Sequence, residues 1–134
     1  MASDRIWRDP KEKVVILDSS ALMMPFEYSI NLEDELTRLV GKFSILVPKP
    51  IVEELIYLSK NGKGRKKRLA KSAMVLIKEY NIVDSEGKGD DSVLFLAKKF
   101  QGIVVTNDRE LRNRVKKSSL QRIYLRGKKR LFLE

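Results

Sequence analysis

Residues 14–18 read Val-Val-Ile-Leu-Asp, an unbroken run of four β-branched or aliphatic residues that ends at a carboxylate. Such a run predicts a strand that is covered on both faces, as the central strands of parallel sheets are. A second buried strand is predicted at residues 103–105, which are followed by Thr106, Asn107 and Asp108. The two stretches indicate a parallel sheet in which two strands lead into an aspartate.

Helical patterns alternate with these strands along the chain. One pattern begins at Asn31, a residue type that caps helices, and ends at Gly41. Pro48 and Pro50 predict a loop ahead of the next helix, with Pro50 suited to its first turn. The other predicted elements are strands at 43–47, 82–83, 123–125 and 131–133, helices at 51–59, 69–80 and 90–100, and a short helix after residue 108. Strands that alternate with helices indicate a parallel sheet with helices on both faces.

The composition limits the chemistry that the chain can perform. The 134 residues include 28 Lys and Arg against 18 Asp and Glu, a net charge of +10, and neither cysteine nor histidine. Disulfides, thiolate nucleophiles, Ser-His-Asp triads, Cys/His zinc sites and histidine acid–base catalysis are therefore excluded. Any hydrolytic chemistry must come from carboxylates. The positive charge favours a polyanionic partner, and nucleic acid is the leading class.

The domain organisation is expected to be simple. We predict one domain over residues 1–134, with residues 1–12 as an N-terminal extension and residues 122–134 as a C-terminal strand and basic turn. Trp7 is predicted to be a packing anchor rather than a base-stacking platform. No apolar stretch approaches the roughly 20 residues that span a bilayer, and the N-terminus lacks the apolar core of a signal peptide. We therefore expect a cytoplasmic protein with no membrane partner.

Acidic residues are expected to gather at the carboxyl edge of the sheet, where the loops that follow parallel strands converge. Carboxylates this close together repel one another unless a cation lies between them. Oxygen ligands suit Mg²⁺ or Mn²⁺, and such an ion can activate water for phosphodiester hydrolysis. The acidic positions are Asp18, Asp108, the doublet Glu53 and Glu54, and the doublet Asp90 and Asp91.

Each acidic residue also has a structural explanation when it is taken alone. Asp18 can cap a turn at a strand end, and Asp90 and Asp108 are good helix N-caps, each worth about 1 kcal/mol of helix stability. Glu53 suits a solvated helix face. The placement of Asp90 at the shared edge further requires that residues 82–83 form a parallel strand. Their common placement is what favours a functional site.

Four segments in this order resemble the PIN-domain nucleases, and together they cover nearly the whole chain. They are Val-Val-Ile-Leu-Asp-Ser-Ser at 14–20, the stretch from Val47-Pro48 to Val-Glu-Glu-Leu at 52–55, Gly-Asp-Asp-Ser-Val-Leu at 89–94, and Val-Thr-Asn-Asp-Arg-Glu-Leu at 105–111. The resemblance implies a three-layer α/β/α fold around a five-stranded, mainly parallel sheet. It also implies an endoribonuclease site that depends on Mg²⁺ or Mn²⁺.

The resemblance also implies roles for individual residues. Ser20 and Thr106 match small polar positions that support the site. Glu53 and Asp91 are the doublet neighbours that can replace the matched residues, Glu53 as a supporting group and Asp91 as a further metal ligand. The residues implied to hold the metal and carry catalysis are Asp18, Glu54, Asp90 and Asp108.

Two basic clusters are predicted to contact RNA on either side of the site. Basic loops without interleaved aromatic residues favour phosphate contacts over base stacking. The alternative is that both clusters are solvated surfaces. The first cluster is Lys63, Arg65, Lys66, Lys67, Arg68 and Lys71, and the second is Arg126, Lys128, Lys129 and Arg130.

Within the PIN-domain nucleases, residues 122–134 resemble the tail of the branch that processes small-subunit ribosomal RNA. The sequence is thus interpreted as a metal-dependent endoribonuclease that hydrolyses RNA with metal-activated water. Pre-ribosomal RNA, ribosome-assembly proteins and a second copy of the chain are its candidate partners. The alternatives are a catalytically weak RNA-binding ribosome-assembly factor and a toxin-type ribonuclease of a toxin–antitoxin pair. A phosphoacceptor receiver domain is disfavoured because no lysine follows the fifth strand as expected.

Overall fold

The computed structural model describes residues 11–134. Trp7 and most of the predicted extension, residues 1–12, lie outside the described residues. No helix within residues 11–134 has the length and apolar character needed to cross a membrane. The elements are β1 (Lys13–Leu17), α1 (Ser19–Tyr28), α2 (Leu32–Val40), β2 (Phe43–Pro48), α3 (Lys49–Asn61), α4 (Gly64–Leu76), a 3₁₀ turn (Ile77–Glu79), β3 (Asn81–Val83), α5 (Asp90–Phe100), β4 (Ile103–Val105), α6 (Arg109–Lys117), β5 (Arg122–Arg126) and β6 (Arg130–Leu133).

All strands join one sheet in the order β3-β2-β1-β4-β5-β6. The pairs from β3 to β5 are parallel, and β6 runs antiparallel to β5. The predicted α/β fold with a mainly parallel sheet is confirmed. The predicted number of five strands is wrong, because the chain turns tightly at residues 127–129 and adds a sixth strand. A tight turn can join only antiparallel strands, which is why β6 reverses the direction.

The sheet is covered on both faces. Residues 14–17 of β1 are all buried, and successive strand residues point to opposite faces. Helix α5 packs against β1, β2 and β4, whereas α1, α3 and α4 pack on one another and α1 and α3 contact the sheet. The unbroken apolar run of β1 therefore reflects its position between two helical layers.

Several helix boundaries follow from their end residues. The Asn31 side chain accepts a hydrogen bond of 3.0 Å from the Asp34 amide, and Gly41 ends α2, as predicted. The predicted loop at Pro48 and Pro50 is wrong, because Pro48 ends β2 and is also the N-cap of α3. Proline fits both positions, since its fixed φ suits the extended cap and the first turn of a helix. The helix predicted at 69–80 instead begins at residue 64 and ends at residue 76.

Helix α1 was not predicted from the sequence. Residues 21–24 are all buried, so the segment shows no alternation of polar and apolar residues with helical period. Pro25 lies inside the helix and removes one of its hydrogen bonds, which also disfavours a helix assignment. The Asp18 carboxylate caps α1 by accepting a hydrogen bond of 2.8 Å from the Ala21 amide. The predicted capping role of Asp18 is therefore correct, but the capped element is a helix.

The outer edge of β6 is closed by α2. The Leu131 amide donates a hydrogen bond of 2.8 Å to Glu35 Oε1, and the Leu131 carbonyl accepts one of 2.8 Å from Arg38 Nη2. Glu35 and Arg38 also form an ion pair of 2.9 Å. Two side chains thus take the hydrogen bonds that an added strand would otherwise make at this residue, which protects the edge from pairing with another chain.

Candidate active site

Strands β1 and β4 bring Asp18 close to the segment that carries Asp108. The two strands are adjacent and parallel, with Leu17 level with Val105. Asp18 directly follows Leu17, and its amide donates to the Val105 carbonyl at 3.5 Å. Thr106 directly follows Val105. The ends of both strands therefore lie at the same edge of the sheet, where the sequence predicted the site.

The Asp18 carboxylate is buried, with 5% of the residue exposed. Its Oδ1 accepts hydrogen bonds from Ser20 Oγ at 2.7 Å and from the Ala21 amide at 2.8 Å, and its Oδ2 accepts one from Thr106 Oγ1. Burial raises the pKa of Asp18 to about 6, although the three hydrogen bonds act to lower it. A carboxylate has about four acceptor positions, so one on Oδ2 remains for a further ligand.

The side chains that surround the Asp18 carboxylate form hydrogen bonds that connect the ends of β1, β4 and β5. The buried Thr106 hydroxyl accepts from the Asp108 amide at 3.0 Å, and Ser20 Oγ accepts from the Asn107 amide at 3.0 Å. Asn107 Oδ1 accepts from the Leu125 amide at 3.1 Å, which ties β5 to the same edge. Asn107 was not among the predicted site residues, and its position between Thr106 and Asp108 was the signal for it. This network fixes the backbone that carries Asp108.

Asp108 is the N-cap of α6, as its structural explanation predicted. Its Oδ1 accepts hydrogen bonds of 2.8 Å from the Glu110 amide and 3.1 Å from the Leu111 amide. Both bonds are made by one oxygen, and no group within residues 11–134 donates to Oδ2. Asp108 can therefore cap the helix and still offer an oxygen to a ligand.

Asp90 interacts electrostatically with the other predicted acidic positions. Burial raises the pKa of Asp90, and the negative charges of Asp108, Glu110 and Glu54 raise it further. The charge of Asp90 in turn raises the pKa of Asp18, after the larger effect of burial. The requirement for this placement is met, because β3 pairs with β2 in parallel. The N-cap role predicted for Asp90 is wrong, because the cap of α5 is Gly89.

Asp91, the second residue of the doublet, points to a different partner. Its side chain is 66% exposed, and Oδ1 pairs with Arg114 Nη2 of α6 at 2.8 Å. Gly87 packs against it so closely that a Cβ there would lie 2.8 Å from the Asp91 Cβ, and its φ of +81° also favours glycine. Asp91 therefore links α5 to α6, whereas Asp90 is the member of the doublet that interacts with the other acids.

Glu54 differs from Glu53 in a similar way. Glu54 Oε2 accepts a hydrogen bond of 3.0 Å from Ser19 Oγ, and its charge reaches Asp90. Both glutamates border a shallow open pocket that Lys88 and Gly89 also line. No link from Glu53 to Ser19 or Asp90 is found in residues 11–134. The geometry favours Glu54, and it adds Ser19, which the sequence did not predict.

The carboxylates are near one another without being in contact. In the part of the chain that the structure describes, no three acidic side chains are close enough to enclose an ion as they stand. Mg²⁺ keeps several of its waters when it binds to proteins and uses only one or two carboxylates directly. Carboxylates that influence each other's pKa across such a gap are thus compatible with an ion that is partly held through water.

The two predicted basic clusters lie at different distances from this edge. The first begins at Lys63, the N-cap of α4, and continues into the first turns of α4. It follows the end of α3, which lies roughly 10 Å along the helix axis from Glu54. In this cluster Arg65 is tied to Glu27 by a hydrogen bond to its carbonyl at 3.3 Å and an ion pair at 3.9 Å. The second cluster starts at Arg126, next to the Leu125 amide that bonds Asn107. The second cluster therefore adjoins the site directly.

The sequence of the chain matches the family model described as a PIN like domain over residues 15–128. The chain belongs to the PIN-like domain family. Among curated proteins, ribonuclease VapC9 of Archaeoglobus fulgidus is 30% identical over 134 residues, covering all of this chain and 98% of the relative. Ribonuclease VapC4 of Methanocaldococcus jannaschii is 32% identical over 120 residues, covering 86% of this chain and 92% of the relative.

Solved structures show the same PIN-like fold. The PIN domain endonuclease Utp24 superimposes with a TM-score of 0.76 at 19% identity, covering 92% of both chains. A domain of a functionally unknown protein from Methanocaldococcus jannaschii gives a TM-score of 0.56 at 20% identity, covering 86% of this chain and 92% of that one. At these identities the likeness concerns the fold alone. The fold and the family inferred from the four sequence segments are therefore confirmed.

Proposed function

We propose that this PIN-like protein is an endoribonuclease that hydrolyses RNA phosphodiester bonds with the help of a divalent cation. The observation that carries the proposal is that β1 and β4 end side by side, which brings Asp18 next to the segment of Asp108, in a chain whose net charge is +10. The charges of Asp108 and Glu54 act on Asp90, and the charge of Asp90 acts on Asp18, which supports a shared site for the four acids. Like charges that face one another in a basic protein indicate that a cation belongs between them. The two curated relatives, both named as ribonucleases, support RNA as the substrate.

The donor set fits Mg²⁺ or Mn²⁺. Its side-chain donors are all oxygen atoms, which hard cations prefer, and the sequence contains neither cysteine nor histidine. Asp18 Oδ2 and Asp108 Oδ2 are the oxygens that the protein leaves available, and Asp90 and Glu54 complete the set. When bound, such an ion supplies Lewis acidity and lowers the pKa of its water.

The chain's own residues set the orientation of these ligands. Thr106 and Ser20 donate to the two oxygens of Asp18 and so fix the plane of its carboxylate. Ser19 holds Glu54 in the same way from the first turn of α1. The Asp91–Arg114 ion pair holds α5 against α6, and hence Asp90 relative to Asp108. The basic clusters hold the RNA backbone across the edge.

Two biological roles are compatible with this activity. The names of the two curated relatives favour a toxin-type ribonuclease, for which an antitoxin protein would be the partner. The resemblance of residues 122–134 to the ribosomal-RNA-processing branch favours pre-ribosomal RNA and ribosome-assembly proteins. Mapping the 5′ ends that the purified protein creates in total cellular RNA separates them. Cuts confined to small-subunit precursors support processing, and cuts in other RNAs support the toxin-type role.

The nuclease proposal is tested by the Asp18→Asn variant, with Asp34→Asn on exposed α2 as the matched control. Because several kcal/mol of transition-state stabilisation depends on the ion, we expect Asp18→Asn to lower the cleavage rate of a single-stranded RNA at least about a thousandfold. RNA binding and the activity of Asp34→Asn should be preserved. If Asp18→Asn cleaves as fast as the control, Asp18 has no part in the mechanism and the proposed site fails. If the wild-type protein binds RNA without cleaving it, the nuclease proposal fails, and the RNA-binding assembly factor becomes the better explanation.

The organisation as a single domain, a cytoplasmic location and a homodimer remain part of this proposal. Size-exclusion chromatography with light scattering tests the homodimer. A mass of about 31 kDa, twice the 15.5 kDa of the chain, would support it, and a mass of 15.5 kDa would exclude it.

A further inference from the structure

Two arginines beside the acidic edge are held by aromatic rings instead of carboxylates. The guanidinium carbon of Arg112 lies 4.2 Å from the centre of the Tyr124 ring, and that of Arg126 lies 4.8 Å from the centre of the Phe132 ring. Tyr124 of β5 is directly opposite Phe132 of β6. Side chains at such opposed positions lie on the same face of a sheet, and Arg126, two residues after Tyr124, shares that face.

These four residues, the arginine–aromatic patch, adjoin Asp108. The Arg112 amide donates a hydrogen bond of 3.0 Å to the Asp108 carbonyl, so Arg112 lies one helical turn along α6 from it. Arg126 directly follows Leu125, whose amide is bonded to the side chain of Asn107, the residue before Asp108. Both arginines are therefore connected to the backbone around Asp108 through a single hydrogen bond.

The guanidinium groups of the patch have donors to spare. Within residues 11–134, Arg38, Arg65, Arg114 and Arg122 each pair with a carboxylate, whereas Arg112 and Arg126 do not. Glu134, the carboxylate nearest to the patch, is engaged by Arg122 and by the Tyr124 hydroxyl at 2.8 Å. A guanidinium stacked on a ring keeps its edge open and is already oriented, so it loses less freedom when it forms a fork-shaped pair with phosphate.

We propose that the arginine–aromatic patch is a phosphate-binding subsite for the RNA strand on the Asp108 side of the active site. It binds the backbone and not the bases, because the guanidinium groups cover the ring faces on which bases would stack. The proposal rests on the proposed ribonuclease function for its choice of RNA as the ligand. It adds Arg112, which was not among the predicted RNA contacts, and gives Arg126 a defined role.

The salt dependence of RNA binding tests the patch. The measurement is the fluorescence anisotropy of a labelled single-stranded RNA of mixed sequence, titrated at several salt concentrations with proteins that carry Asp18→Asn to prevent cleavage. The variants are Arg112→Gln and Arg126→Gln. The control is Lys98→Gln, which removes the same charge near the end of α5, roughly 12 Å along the helix from Asp90.

We expect each arginine variant to weaken binding about fivefold and to reduce the slope of log K against log salt concentration by about 0.7, the value for one phosphate of a single strand. The loss should be the same for RNAs of different sequence. Arg112→Lys keeps the charge and should keep the slope while binding less tightly than the parent protein. Arginine variants that are folded and bind with the affinity and slope of Lys98→Gln would overturn the subsite.

Phe132→Leu provides a second test, because it removes a ring and leaves every charge in place. The ring is 40% exposed, so the fold should tolerate the change. We expect an unchanged salt slope and about twofold weaker binding, since Arg126 loses its support. Binding equal to that of the parent protein would show that the ring has no role in the subsite.

Failure of the subsite can be distinguished from failure of the nuclease proposal. If the wild-type protein does not cleave RNA, but the two arginine variants bind it more weakly and with the reduced salt slopes, the nuclease proposal fails and the subsite stands. If the wild-type protein cleaves RNA and Arg112→Gln and Arg126→Gln behave like Lys98→Gln, the subsite alone fails.

Discussion

The two halves of the candidate site are built differently. The half around Asp18 is buried, and its carboxylate accepts three hydrogen bonds from Ser20, Ala21 and Thr106. Among the described residues, the carboxylates of Asp90 and Glu54 accept one such bond, from Ser19 to Glu54. The first half is held by neighbouring strands of the sheet, whereas the second is carried by the second turn of α3 and the first turn of α5.

This difference predicts that the carboxylates of the two halves differ in how firmly their orientation is fixed. A carboxylate whose oxygens are already hydrogen-bonded has a fixed orientation and can define where a cation sits. Carboxylates that accept few hydrogen bonds from the protein can change their orientation more easily. In the proposed function, Asp18 would therefore be the ligand of fixed orientation, and Asp90 and Glu54 would be the adjustable ligands.

The acidic doublets allow the largest test of this comparison. The charges of Asp108 and Glu54 act on Asp90, whereas no contact of Glu53 or Asp91 with the other acids is found in residues 11–134. We therefore expect Asp90→Asn and Glu54→Gln to reduce RNA cleavage by roughly two to three orders of magnitude. Glu53→Gln should cleave within about twofold of wild type. Asp91→Asn should fall between them, since it loses only the ion pair with Arg114, worth at most about 1 kcal/mol on the surface. Single-turnover rates measure these effects, and equal losses within a doublet would contradict the assignment.

The pH dependence of stability isolates the fixed half. The pKa of Asp18 is raised from 3.8 to about 6 by burial. A raised pKa means that the folded state favours the protonated form of Asp18. The contribution of this group to the free energy of unfolding is therefore greatest below pH 3.8 and is lost as the pH rises through about 6. The loss is about 3 kcal/mol in metal-free buffer, because one unit of pKa corresponds to about 1.4 kcal/mol.

Urea unfolding of wild type and Asp18→Asn in the presence of a chelator measures this loss. We expect the free energy of unfolding of the wild type to fall relative to that of Asp18→Asn between pH 4 and pH 7, because the Asn side chain does not ionise. Added Mn²⁺ should restore the stability of the wild type at pH 7, since the ion binds the ionised carboxylate. A difference that stays constant across this range would show that the Asp18 pKa is not raised.

Thr106→Val tests the hydrogen bond that supports the fixed half. The change keeps the shape of the side chain but removes the hydroxyl that donates to Asp18 and accepts from the Asp108 amide. Leaving these buried groups unpaired should cost about 2 kcal/mol of stability. It should also move the stability loss of the preceding test to higher pH, because a hydrogen bond that favours the ionised form is gone. Thr106→Ser, which keeps the hydroxyl, is the control and should retain the wild-type pH profile.

Ser19→Ala gives a small expected effect and tests the adjustable half. Its hydroxyl makes a single exposed hydrogen bond to Glu54. Because an exposed bond of this kind contributes roughly 0.5–1 kcal/mol, we expect cleavage to fall only about threefold with stability unchanged. A loss as large as that of Glu54→Gln would mean that Glu54 is as firmly held as Asp18, and the distinction between the halves would disappear.

The sequence predicted the parts of the site that follow from strand direction. Asp18 and Asp108 come after unbroken apolar runs, and parallel strands end at the same edge, so their proximity needed no further information. Asp90 required β3 to be parallel. The short Ile82-Val83 pair predicted a strand but not its direction, and the structure meets that condition.

Other features depend on contacts between residues distant in sequence, and these had no local signal. Nothing near Asp91 indicates that its partner is Arg114, because α5 and α6 are joined only in the folded chain. In the sequence, Arg112 cannot be distinguished from the other basic residues of α6, because its contact with the Tyr124 ring of β5 forms only in the folded chain. The pattern predicted a strand at residues 131–133 after the basic turn, but the family resemblance implied five strands, and the antiparallel pairing that makes it a sixth is seen only in the structure.

The most direct test of the account is a crystal of the protein soaked in Mn²⁺, with anomalous scattering used to locate the ion. We expect one or two peaks at the carboxyl edge of the sheet, within direct or water-mediated reach of Asp18 and Asp108, and no peak there in Asp18→Asn. A fully soaked wild-type crystal without such a peak, or an ion bound only at other residues, would contradict the metal-dependent site.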